Sequence, residues 1–331
     1  MKTITNRFLD QFRVFLSLTK RHIMVFFKNW TTVLFTMMVP LIILVVYVLF
    51  LRQMEISAIN PVIEEVVENP DKEMMREIYA LADSWMIAGV LAVSCITVSL
   101  NTNSIMVRDK ERGISKDFLS SPISSRMVMY SYFTFNTIIT FAVNFIVLCI
   151  CMIYLVCYGA LMISAMDFFA LIGILLLSTM NAAFLTFFLC SFINRESTLS
   201  ALVAIFSAAI GFLIGAYFPV SMLPKGIEYL TSFFPGTYSA SLFRNYLMSG
   251  PMEMLEKELL TMGIQADSIL GTLRETFSFD INFFQWNVPQ QLQAWILACF
   301  TAIFGGICLL FSYRNFMRLP KLRKKKKAEN K

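Results

Sequence analysis

MVMYSYFTFNTIITFAVNFIVLCICMIYLVCYGALMISAM, residues 127–166, carries no Asp, Glu, Lys or Arg anywhere along its length. A helix crosses a bilayer core in about 20 mostly apolar residues, and a soluble domain has no reason to withhold charge for so long. Five further stretches lack these residues in the same way: 30–51, 84–107, 168–194, 197–224 and 281–313. The chain reads as an all-α, polytopic membrane protein. Its composition agrees, with 57% hydrophobic and 15% charged residues among 331, against about 25% charged in soluble domains. Segments outside the spans run to only about 30–40 residues, which leaves no room for a large soluble catalytic domain.

The connecting segments sort by charge. Residues 1–30 carry Lys2, Arg7, Arg13, Lys20, Arg21 and Lys28 against Asp10 alone. Residues 107–126 are also rich in Lys and Arg, and the tail 314–331 has nine basic residues against Glu329. By contrast, residues 53–83 hold eight acids and 251–280 hold six. Lys and Arg mark the cytoplasmic side, so both termini, 107–126 and the turn at 195–196 are expected inside, with the acid-rich loops outside. The net charge of +6 thus signals topology rather than nucleic-acid binding. Six spans are expected near 31–51, 84–106, 129–157, 168–192, 198–218 and 291–313. Residues 1–30 form a cytosolic segment and 314–331 a basic cytosolic tail, whose Lys324–Lys327 run suits anchorage near anionic lipid.

Two elements do not span. Phe8, Phe12, Phe15, Thr19, Ile23 and Phe26 recur at three- and four-residue spacing, one face of an amphipathic helix suited to the headgroup layer. After the fifth span, residues 219–248 are semi-apolar but interrupted by Pro219, Pro224, Pro235 and Gly236. Each piece is too short to cross, and each Pro removes a backbone donor. Irregular backbone at membrane depth is tolerated where it packs in protein or lines a cavity, so one or two short re-entrant or interfacial helices are expected there. All seven cysteines lie in apolar segments without CxxC spacing, the pattern of small buried hydrophobes.

A search for catalytic chemistry returns little. The single histidine, His22, has no ligand-spaced partners and does not make a metal site. HExxH, GxSxG and the phosphate-cradling GxxxxGK[ST] loop are missing from the sequence, so any nucleotide-driven step falls to another polypeptide. With no titratable residue expected inside the spans, a proton relay is disfavoured. The segment VRDKERGISKDFLSSPISSR, residues 107–126, carries the best functional signal. Gly113 can make a turn, Ile114, Phe118 and Leu119 form an apolar ridge on a short helix, and Pro122 ends it. Ser124 or Ser125 can cap the third span. Such a helix suits either docking into a soluble partner's groove or a solvated turn that holds topology.

The stretch KERGISKDFLSSPISSRMVMYSYF at 110–133 resembles the cytosolic segment of ABC-2 type permeases, of the form ERG–L–SP. FPVSMLPKGIEYLTSFFPGTYSASLFRNYLMSG at 218–250 resembles that family's segment after the fifth span. The resemblance extends over nearly the whole chain and implies the membrane subunit of an ABC exporter. Its implied partners are two ABC ATPase subunits, a second permease that is identical or homologous, and membrane lipid. No cofactor is expected on this chain, ATP and magnesium being used by the ATPase.

By that resemblance Glu111, Arg112, Gly113, Phe118, Leu119 and Pro122 form a coupling helix on the ATPase, and residues 1–30 the elbow helix beside it. Ser94, Thr97 and Asn101 share a face of the second span with Ser104, and the family places that span near the central pathway. Asn136, Asn144 and Asn181 add polar groups to the third and fourth spans; such groups either bond between helices or line a path. Gly211 and Gly215 form a GxxxG that permits close helix approach, and the family's subunit contact makes them interface candidates. Pro219, Leu223, Pro224 and Pro235 are placed at an outer gate. The expected function is export of an amphipathic or hydrophobic substrate (a drug, peptide antibiotic or lipid) across the cell membrane. Export of a polysaccharide or teichoic-acid-like polymer, or a non-transport assembly role, is the alternative; a membrane-embedded transferase is disfavoured by the single histidine and the lack of paired acids near the spans.

Overall fold

The computed structural model describes residues 2–54, 56, 57, 59, 72–121, 123–220, 224–264, 266–279, 281–283, 286–308 and 310. The basic tail 314–331, Pro122 and Leu223 lie outside them. Helix α1 (Lys2–Lys28) is followed by α2 (Trp30–Val46), which continues through a π turn at Tyr47–Leu51. α3 (Lys72–Thr102) runs on into α4 (Ser104–Glu111) across Asn103, and the short α5 (Ile114–Ser120) follows. Next come α6 (Ser125–Cys157), α7 (Ala165–Ser191) and α8 (Glu196–Leu213). Beyond them stand α9 (Lys225–Ser232), α10 (Pro235–Leu247), α11 (Ser249–Thr261) and α12 (Ala266–Thr276). A two-stranded antiparallel hairpin, β1 (Ile281–Phe283) with β2 (Trp286–Val288), leads to α13 (Gln290–Ile307). Six helical stretches are long and apolar enough to cross a membrane: Trp30–Met54, Lys72–Glu111, Ser125–Cys157, Ala165–Ser191, Glu196–Leu213 and Gln290–Ile307. The chain is an all-α membrane protein with one small hairpin.

The spans are not equivalent. The α3 span is enclosed by its own chain, packing against α2, α6, α7, α8, α10 and α11, while α8 buries only Leu199, Ile210 and Gly211. Small and hydroxyl side chains (Gly89, Ala92, Ser94, Ser99) let neighbours approach α3 closely, and a Cβ on Gly89 would sit 2.9 Å from the Ala216 carbonyl oxygen. Ser124 caps α6, accepting from the Met127 amide at 3.4 Å.

Within residues 251–280, expected as a loop, 251–261 and 266–276 are helical. Met252, Leu255 and Leu259 on α11, and Ala266, Ile269 and Leu273 on α12, recur at helical spacing and are buried. The acids around them hid that period. Cys157 and Cys299 are exposed, unlike the buried Cys95, Cys151, Cys190 and Cys308.

Candidate functional site

One turn of α4 joins four other elements. Asp109, 3% exposed, accepts from the Arg21 guanidinium at 2.5 and 3.3 Å and from the Tyr132 hydroxyl at 2.5 Å. It thereby ties α1 to α6. Arg108 pairs with Glu196 at 2.5 Å. The Lys110 ammonium donates to the carbonyls of Cys190, Ser191 and Ile193 at 3.1, 3.0 and 3.5 Å. Glu111 accepts from the Glu196 amide at 2.8 Å, an anion at the N-terminus of α8, where the helix dipole favours it.

His22 sits beside this turn and is fully buried. Its ring stacks on Tyr132 with centroids 3.9 Å apart. Arg21 can only donate, so Nδ1, 3.1 Å from the Arg21 guanidinium, is the acceptor. Nε2 then carries the hydrogen and donates to Ser131 Oγ at 3.1 Å, whose own proton goes to the Val128 carbonyl. The imidazole is held neutral: burial, then the neighbouring Arg21 charge, push its pKa down to about 3, with Asp109 opposing.

The expected amphipathic face is accordingly shifted. Leu18, Thr19, His22 and Phe26 are buried, while Phe12 is 49% exposed. α1 lays a partly polar stripe on α6, while Phe12, Leu16, Met24 and Phe27 stay exposed.

α5 docks onto α1. The Arg21 guanidinium lies 5.2 Å from the Phe118 ring centroid, and His22 meets that ring edge-on at 6.5 Å. Phe118, expected on the apolar ridge of this helix, is therefore half-buried against its own chain. Arg112 is exposed, Gly113 adopts φ +80, and Glu111 is engaged with α8. The Leu119 side chain lies outside the described residues.

The pathway residues separate. Ser94 and Thr97 are buried within the chain; Ser94 donates to Asn144, and Thr97 to the Val93 carbonyl of its own helix. Ser99 joins Asn136 at 2.8 Å and Thr186 at 2.6 Å, and Asn181 reaches Thr301 at 3.2 Å. Ser94, Ser99 and Asn181 are thus bonded between helices and Thr97 within its own, Ser94, Thr97 and Ser99 being fully buried. Asn101 differs. It faces a groove of about 410 Å³ between α2, α3–α4 and α8, with Thr32, Phe35, Ser104, Leu199 and Val203 on its walls and the Arg108–Glu196 pair at one end.

The glycine pair also serves the single chain. A Cβ on Gly211 would run into the Tyr217 ring, and Gly215, at φ +67, would meet Val220. Gly215 ends α8 in the left-handed region that favours glycine, and its carbonyl accepts from buried Arg244. Arg244 also donates to the Ser278 carbonyl at 3.2 Å and lies 5.1 Å from the Trp85 ring. Both glycines thus shape the end of α8 within this chain. Pro219 is buried beside this turn, Pro224 is exposed ahead of α9, and Pro235 opens α10 at a position where its missing N–H costs nothing.

Sequence reasoning missed the ion pairs at the span ends. At the end opposite α5, fully buried Asp83 pairs with Arg52 at 2.8 Å and accepts from Tyr154 at 3.1 Å. The signal was present: Arg52, Asp83 and Arg108 are the first charges beyond long apolar runs. Among the described residues, no cluster of His, Cys, Asp and Glu could hold a metal ion.

Against this geometry, the profile of the ABC-2 type transporter family matches residues 13–248. The chain belongs to the ABC-2 type transporter family. It is a permease subunit, a transport component that works with an ABC ATPase. The match begins within α1 and takes in the α4–α5 turn, five of the six spans and α9–α10. A search of curated protein sequences finds no match.

Proposed function

We propose that this ABC-2 permease exports an amphipathic or hydrophobic substrate from the cytosol or inner leaflet, driven by a separate ATPase that binds the ATP and magnesium. The groove between α2, α4 and α8 carries the reading. Its polar end holds Asn29, Ser104 and the Arg108–Glu196 pair; Phe35, Val39 and Val203 extend the other way. Asn29 and Val39 are ten residues apart, about 15 Å along a helix, so the surface grades from hydrogen-bonding to apolar over the length of an amphiphile. The Ser104 hydroxyl lies just behind this wall, buried and without a partner among the described residues. α1 and α5 occupy the cytosolic end beside two ATPase subunits. A second permease, identical or homologous, completes the assembly in the cell membrane, and both termini are cytoplasmic.

The test uses purified permease with its ATPase in vesicles, challenged with a panel of amphipathic drugs, peptide antibiotics and lipids. A stimulating compound should lose its effect in Ser104→Leu and Val203→Trp, with basal hydrolysis and ATPase recovery retained. Stimulation undiminished in both variants would remove the groove from the pathway.

A further inference from the structure

We infer that residues 108–111 form a rigid junction that passes movement of α5 to the start of α8, with Lys110 as its positioning residue. The inference rests on the reading of α5 as the ATPase-facing helix. Lys110 is 7% exposed, and its ammonium is spent on three carbonyls where α7 ends. Those carbonyls are the orphan acceptors of a helix C-terminus, where a cation is favoured. Glu111 and Arg108 hold the other side of the same turn, one on the Glu196 amide and one on its carboxylate.

The α7–α8 turn is thus gripped at both ends by Arg108, Lys110 and Glu111 of a single helical turn. Only Arg112 and Gly113 separate that turn from α5, so little chain is available to absorb a displacement. The first turns of α8 also carry Leu199 and Val203 into the groove. Moving α5 therefore resets the groove's width through Lys110, rather than through the long α6 alone.

The experiment uses full-length permease with its ATPase in phosphatidylethanolamine–phosphatidylglycerol vesicles. Spin labels at Ser120→Cys on α5 and Ser197→Cys on α8, both exposed positions, replace the native cysteines. In the parent, the label separation should be the same in nucleotide-free and ATP–vanadate-trapped complexes. In Lys110→Met, the trapped distribution should shift and broaden relative to the nucleotide-free one. A parent separation that changes on trapping overturns the inference, as does a Lys110→Met complex matching the parent in both states. Should Lys110→Met fail to assemble, Glu111→Gln carries the same comparison. Recovery of the ATPase with the parent permease checks the underlying reading separately. If none is recovered that reading falls, while label widths in permease alone, parent against Lys110→Met, still decide the junction.

Discussion

Replacing Asp109 with Ala should loosen α1 from the bundle. The carboxylate side chain is 5% exposed and its partner Arg21 29%, and it also holds the Tyr132 hydroxyl. Removing one member of a buried pair costs about 3–5 kcal/mol. Arg21 can turn partly to water, which brings the expected loss to about 2–3 kcal/mol. α1 would then expose its inner face more often, by roughly 30- to 150-fold at about 1.4 kcal/mol per decade. Thr19, 5% exposed, is a suitable reporter: Thr19→Cys should react with a maleimide faster by that factor, normalised to the exposed position Ser17→Cys. The double variant Arg21→Met, Asp109→Leu should recover most of the protection, because no charge is left stranded. Thr19→Cys labelling that rises less than about threefold in Asp109→Ala, well below a single decade, would show that apolar contacts alone dock α1.

Three further outcomes rest on the same geometry. His22 is lowered to about 3 in the docked state against 6.5 when released, so the released state binds more protons between those values. Docking of α1 is fully present above pH 6.5 and weakens as pH falls toward 3, by about 2 kcal/mol at pH 5; the normalised Thr19→Cys rate should rise on acidification, and His22→Gln should flatten the dependence. Gly215→Ala forces a side chain into the left-handed region at about 1–2 kcal/mol besides displacing Val220, and should lower thermal stability in detergent without selectively abolishing crosslinking between permease subunits. For sidedness, Ser268→Cys should react with an impermeant thiol reagent in intact cells and Ser120→Cys should not, the reverse pattern overturning the assigned orientation.

Much of the architecture is legible because membrane spans announce themselves by withheld charge: each of the six helices overlies one charge-free stretch. The α6 cap at Ser124 is readable for a similar reason, a serine just ahead of an apolar run. Faces are harder to read. Hydropathy does not separate a helix wrapped by protein from one facing lipid, so the partners of Ser94 and Thr97, on α6 and on their own turn, are not readable from spacing. Spacing alone makes Gly211 and Gly215 an interface; the positive φ at Gly215 and the folded-back Tyr217 depend on the residues beyond the helix end. The α4 junction is hidden by its own charge, since an Arg-Asp-Lys-Glu run looks solvated until the elements it grips are brought beside it. Asn101 lines the groove, which carries the proposed pathway.

The enclosure of α3 has a consequence for biogenesis. This helix leaves the ribosome before α6, α7 and α10 exist. Ser99 and Asn103 must wait in lipid for Asn136 and Thr186, groups supplied only by later helices. The second span is thus a client of the rest of its own chain. A nascent chain stalled before α7 is made presents unpaired hydroxyls and amides within the bilayer, the kind of surface by which membrane proteases and insertases single out unfinished proteins.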